Sequence, residues 1–171
     1  PGGDYNQLAT SLLQIENEFY GTIRPKRVIH PGERPLHALR ERGVEYVEVR
    51  CMDLNPFLPL GIDAATMRCI DILLLYCLLS ESPPDTPEEI AALGRNQHRV
   101  ATHGRDPTLK LECGEHEISL PQWGDTVLAE CTAIATALDA AHGGSAYAQT
   151  LLDARAALQA LPGNATLSLY L

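Results

Sequence analysis

The stretch VEYVEVR, residues 44–50, has the composition of a strand but carries charge inside an otherwise apolar pattern. Side chains alternate across a strand. Val44, Tyr46, Glu48 and Arg50 therefore share one face, and Glu45, Val47, Val49 and Cys51 share the other. The second face can join a core. The first sets a carboxylate beside a guanidinium, next to a tyrosine. A carboxylate suits Mg²⁺, a hard ion that prefers oxygen ligands. A guanidinium can grip a phosphate with two parallel hydrogen bonds. The alternative for the same pattern is a solvated strand face with weak cross-strand ion pairs.

Upstream, IRPKR at 23–27 places three cations within four residues. In an extended run Arg24 and Lys26 share a face and Arg27 points to the other. Such a cluster needs anions nearby, either a nucleotide polyphosphate or acids of the later chain. Tyr20, which closes an amphipathic stripe of Leu8, Leu12, Ile15 and Phe19, can reach the same region or serve as a core residue with a wet tip.

The charge distribution supports an anionic ligand near this first third. The 171 residues carry a formal net charge of -9, yet residues 1–50 hold equal numbers of acids and bases, so the whole excess lies after Arg50. Nucleic acid is not an expected partner, because phosphate binding by counterion release needs clustered bases without this acidic excess. No membrane span is expected either: the longest apolar run, ILLLYCLL at 72–79, is far shorter than the roughly 20 residues a span needs. With 45% apolar and 20% charged residues the chain suits a single folded domain, or a compact piece of something larger. Five cysteines without C-x-x-C spacing signal neither a zinc ribbon nor a closed disulfide framework. Reduced thiols in a cytoplasm fit best.

Periodicity predicts a helix over 5–20, an extended arm with a turn at Pro31-Gly32, a short helix over 35–42 and the strand at 44–51. The loop MDLNPFLPLGID, 52–63, is expected to pack its apolar residues. Asp63 can cap a buried helix over 64–79, and Thr86-Pro87-Glu88-Glu89 is a capping box for a helix to about His103. A hairpin about Gly114 is expected over 109–120, then helices from about Gly124 to Ala141 and from Ser145 to Leu161. The CGEHE segment at 113–117 reads as the hairpin turn, not a ligand cluster. The fold class is α+β with helix dominant and few strands. Unpaired strand edges suggest that further strands belong to a longer polypeptide.

Taken together, QIENEFYGTIRPKR (14–27), GVEYVEVRCMDLNPFLPLGID (43–63) and GRDPTLKLECGEHEISLPQWG (104–124) resemble the proteobacterial type of glutamate–cysteine ligase. The resemblance runs from about Tyr5 to Leu161 and matches the C-terminal portion of that enzyme, with the N-terminal portion absent. It implies part of a glutamine-synthetase-like catalytic fold. It also implies ATP-dependent joining of the L-glutamate side-chain carboxyl to the L-cysteine amine through a γ-glutamyl phosphate, with Mg²⁺. By the same resemblance Glu48 is a magnesium ligand, Arg50 holds the transferred phosphoryl group, Tyr20 lines the cysteine pocket, and Arg24, Lys26 and Arg27 form a nucleotide-binding segment. Most other metal and substrate contacts would lie in the absent portion, so this chain alone is expected to be inactive. The alternative is a non-catalytic helical interaction module that keeps the motif on a solvated face.

Overall fold

The computed structural model describes residues 21–50, 52–104 and 106–159. The expected first helix with Tyr20, Cys51, and the path after Asn164 lie outside the described residues. The chain divides into two compact units, residues 1–52 and 53–171.

In the first unit, β1 (Ile23–Lys26) pairs antiparallel with β2 (Tyr46–Val49). Between them runs α1 (Pro35–Arg42). The turn before α1 falls at Pro31-Gly32, where Gly32 adopts φ 80° and the Glu33 amide bonds the His30 carbonyl at 3.0 Å. That left-handed backbone is one that glycine adopts without steric cost. Gly43 ends α1, its amide donating to Leu39 at 2.9 Å. The expected core face of the strand is only shallow: Val47 is exposed and Val49 half-buried.

The second unit holds α2 (Ala64–Leu79), α3 (Pro87–His103), the hairpin β3 (Lys110–Cys113) and β4 (His116–Ser119), then α4 (Leu120–Glu130), α5 (Thr132–His142) and α6 (Ala146–Gln159). The expected caps form. Asp63 accepts from the Thr66 amide at 2.8 Å, and Thr86 from the Glu89 amide at 3.2 Å. The hairpin turns at Gly114 with Cys113 opposite His116, so CGEHE is a turn. Among the described residues no group of three or more His, Cys, Asp or Glu could hold a metal.

Ile72, Cys131, Ala135 and Leu151 form the core, with Tyr76, Val127, Ile134, Leu138 and Tyr147 packed around them. Two buried polar groups tie elements together. Asp139 of α5 accepts from the Tyr147 and Ala148 amides, each at 2.9 Å, and so caps α6 from a neighbouring helix. Asn96 of α3 mimics a strand at the edge of β3: its amide donates to the Glu112 carbonyl at 2.8 Å and its oxygen accepts from the Glu112 amide at 2.9 Å. Arg95 and Arg99 then clasp the Glu112 carboxylate.

Four expectations require correction. The helix expected from Gly124 starts at Leu120, because Ser119 accepts from the Gln122 amide and Pro121 sits in the first turn. Gly124 is instead interior, where a Cβ would stand 3.1 Å from Leu158, so it allows α4 to approach α6 closely. That helix is also divided at Cys131, whose amide is shared between the Val127 and Ala129 carbonyls. The helix over 64–79 is not buried all round: Ile72 is fully enclosed by the α5 and α6 side, while Met67, Leu78 and Leu79 are exposed. The loop at 52–63 is pinned by its own backbone, with Asn55 and Gly61 bonded at 2.8 Å, yet Leu54, Phe57 and Leu60 face outward.

Candidate functional site

The β1–β2 register builds the site. Arg24 lies opposite Glu48, and Lys26 opposite Tyr46. The ladder continues past both ends, through the Arg50 amide to Thr22 at 2.8 Å and the Glu45 amide to Lys26 at 2.9 Å. Directly opposed residues share a face. Arg24, Lys26, Tyr46, Glu48 and Arg50 therefore stand on one surface of the ribbon, as alternation predicts.

Glu48 is the centre of that surface. The Lys26 ammonium lies 3.2 Å from one carboxylate oxygen, and Arg50 Nε lies 3.5 Å from the other. The hydrogen bond from Lys26, with the charges of Lys26, Arg50 and Arg24, holds the Glu48 carboxyl below the ordinary glutamate range, against a smaller opposing effect of desolvation. All three paired side chains keep between a third and a half of their surface open, so solutes can reach them. Arg24 Nε donates to the Gly21 carbonyl at 3.2 Å, which fixes its stem along the start of β1.

Arg27 belongs to a different structure. Its Nη1 donates to the Arg42 carbonyl at 2.9 Å, and its Nε lies 3.5 Å from Glu45, outside hydrogen-bond alignment. Glu45 also accepts from the Val28 amide at 3.1 Å. Arg42 closes the circuit by donating to the Val28 carbonyl at 2.9 Å and to the Glu33 carboxylate. This clip ties the exit of β1 to the end of α1 and the entry to β2. Sequence alternation had separated Arg27 from Lys26, but nothing in spacing alone pointed to Arg42, Glu45 or Glu33 as its partners.

Glu48 alone among the acids of the described residues 21–50 faces this surface between the cations, so the described part of the surface offers one carboxylate to a hard divalent ion. That fits an ion that keeps several waters and takes only one or two carboxylates besides phosphate oxygens. With guanidinium and ammonium groups on either side, the arrangement suits a polyphosphate bridged to a cation.

A family model for glutamate–cysteine ligase matches residues 1–100, more than half of the sequence and including this whole ribbon. The chain belongs to the glutamate–cysteine ligase family. The glutamate–cysteine ligase of Pseudomonas fluorescens is 46% identical over 149 residues, which are 87% of this chain and 28% of that protein. The Saccharophagus degradans ligase is 48% identical over 157 residues, 91% of this chain and 30% of its own length. The crystal structure of glutamate–cysteine ligase from Francisella tularensis in complex with AMP superposes with a TM-score of 0.76 at 35% identity, covering 90% of this chain and 30% of that one. The chain thus spans about 30% of the length of these ligases. Its helix-dominant α+β fold is that of the corresponding part of the family.

Proposed function

We propose that this chain forms one wall of the active site of an ATP-dependent ligase that joins the glutamate side-chain carboxyl to the cysteine amine, the first step of glutathione synthesis, in a cytoplasm. The observation that carries this reading is the Lys26–Glu48–Arg50 array on one surface of the ribbon in a chain of this family.

The chemistry has two stages. The glutamate carboxylate oxygen bonds to the γ-phosphorus of ATP and ADP departs; the cysteine nitrogen then bonds to the acyl carbon, inorganic phosphate leaves, and the amine gives up a proton. Mg²⁺, when bound, supplies neutralisation of phosphate charge, and Glu48 would contribute one of its oxygen ligands. Arg50, two residues along the strand, holds the transferred phosphoryl group as its charge moves between oxygens. Arg24 and Lys26 face the same side and grip the polyphosphate. Tyr20 would line the cysteine pocket. Arg27 acts at a distance from the nucleotide, by holding the β1 exit through Arg42 and Glu45. The remaining carboxylates and substrate contacts come from sequence beyond these residues, so the isolated chain is inactive.

A chimaera tests this directly. The matching segment of the Pseudomonas fluorescens ligase is replaced by this chain, and ADP formation is followed with glutamate, cysteine and Mg²⁺. Activity that depends on both amino acids, absent from the isolated chain and abolished by Arg50→Ala in a folded chimaera, is expected. Turnover at the unsubstituted rate in Arg50→Ala would refute the reading.

A further inference from the structure

The loop that leads into α2 closes on itself and yet leaves its large apolar side chains uncovered. Residues 55–61 form a ring of backbone bonds: the Asn55 amide donates to the Gly61 carbonyl at 2.8 Å, the Leu58 amide to the Asn55 carbonyl at 3.1 Å, and the Gly61 amide to the Leu58 carbonyl at 3.1 Å. The Asn55 side chain accepts from the Phe57 amide at 3.0 Å, an Asx turn that sets the backbone at Phe57. Pro56 and Pro59 fix two further φ angles. Gly61 adopts φ 73°, and a Cβ there would stand 2.9 Å from Leu54 Cδ2, so Leu54 packs directly against the ring.

Phe57 is 91% exposed, Leu60 83% and Leu54 73%. One such residue on a surface is ordinary. Three on a short loop whose own bonds already fix its path mark a contact surface, because the loop gains nothing for itself by holding them in water. A preset backbone also lowers the ordering cost of docking, and an aromatic side chain supplies the most apolar area per residue. Charge decides what it docks on. Residues 53–171 hold fifteen acids against six bases, so an anionic lipid surface or a second copy of this unit would be repelled. The chain spans about 30% of the length of its ligase relatives, and the family match includes the whole loop.

We infer that Phe57 is a docking anchor, which seats in an uncharged apolar pocket of the ligase polypeptide outside the span of this chain. The inference rests on the reading of this chain as one part of such a ligase and adds the residue through which that part is held to the rest. It uses no group of the β1–β2 surface. The packing that the apolar content of residues 52–63 leads one to expect is then met by the larger polypeptide, not within this chain.

The test places 4-fluorophenylalanine at position 57 alone, in the isolated chain and in the chimaera with the Pseudomonas fluorescens ligase. Fluorine NMR with a soluble gadolinium chelate reads how open the ring is. Relaxation by the chelate should be at least about fivefold weaker in the chimaera than in the isolated chain, where the ring stays open at every protein concentration. Phe57→Ser should lower the melting temperature of the chimaera by at least about 3 °C and that of the isolated chain by less than about 1 °C, while Phe57→Leu retains most of the difference. Equal relaxation in the two contexts would overturn the inference. Shielding that grows with the concentration of the isolated chain would also overturn it, in favour of a second copy, and shielding of the chimaera only on adding phosphatidylcholine vesicles would do so in favour of a membrane. ADP formation by a chimaera whose Phe57 stays open sinks the anchor alone; a shielded Phe57 in a folded chimaera without activity sinks the ligase reading alone.

Discussion

Lys26 and Glu48 meet at 3.2 Å across a diagonal of the β1–β2 ribbon, although the residue directly opposite Lys26 is Tyr46 and the one opposite Glu48 is Arg24. Long side chains bridge such diagonals readily. The consequence is that a single carboxylate collects cations from both strands, and the register of the ribbon sets the shape of the surface proposed to bind phosphate.

Lys26 and Arg27 are adjacent in sequence but should fail differently. In the chimaera, Lys26→Gln is expected to raise KM for ATP by about tenfold or more, for the loss of one charge-assisted contact. Arg27→Gln should lower thermal stability with a smaller change in KM, since Arg27 holds the Arg42 carbonyl and not the ligand surface. Steady-state kinetics and thermal melts on both variants check the split; equal KM effects without loss of stability would put Arg27 at the nucleotide.

Glu112 gives a pH dependence to the attachment of α3 to the hairpin. The Arg95 hydrogen bond, with the charges of Arg95 and Arg99, holds its carboxyl below the ordinary range. A depressed folded value means that the added stability is present above the unfolded value and is lost as pH falls through the folded one. Thermal melts between neutral and acid pH should show a decline that is smaller in Arg95→Gln, and a carbon-13 titration should place the Glu112 carboxyl higher in that variant.

Asp139 and Asn96 each satisfy two backbone groups that no regular hydrogen bond reaches. Asp139→Ala leaves the Tyr147 and Ala148 amides unmet and should cost about 1–3 kcal/mol in denaturant unfolding. Asn96→Ala strips both partners from Glu112 and should cost a similar amount, about 1–3 kcal/mol. A loss under about 0.5 kcal/mol in both would mean that water replaces them fully.

Core position separates two large apolar residues that composition treats alike. Ile72, with no exposed surface, should lose about 2–5 kcal/mol on substitution by Ala. Phe57, 91% exposed, should change stability by less than about 0.5 kcal/mol. Denaturant melts of the two variants give the comparison.

These contrasts also mark what the sequence could tell. Alternation alone put Glu48 beside Arg50 and set Arg27 apart from Lys26, because a strand's two-residue period is unambiguous. Asp63 and Thr86 announced their helices through side chains that bond the chain a few residues ahead. The Lys26–Glu48 diagonal was not legible, since register between distant strands is decided by pairing, not by either strand. The division at Cys131 lies within a run whose periodicity is continuous, and it depends on how α4 and α5 pack against α6. Exposure of Phe57, Leu78 and Leu79 was missed for a similar reason: an apolar residue states a preference for burial, while the neighbours that could cover it are a property of the whole assembly.

The magnesium dependence of the chimaera tests the role of Glu48 most directly. ADP formation is measured against Mg²⁺ concentration for the unsubstituted chimaera and for Glu48→Gln, which keeps size and polarity but removes the charge. A shift of half-saturation to higher Mg²⁺ by about tenfold or more, with folding unchanged, is the predicted result. Coincident curves would show that the carboxylate takes no part in holding the metal, and the account of the ribbon as an active-site wall would fall with it.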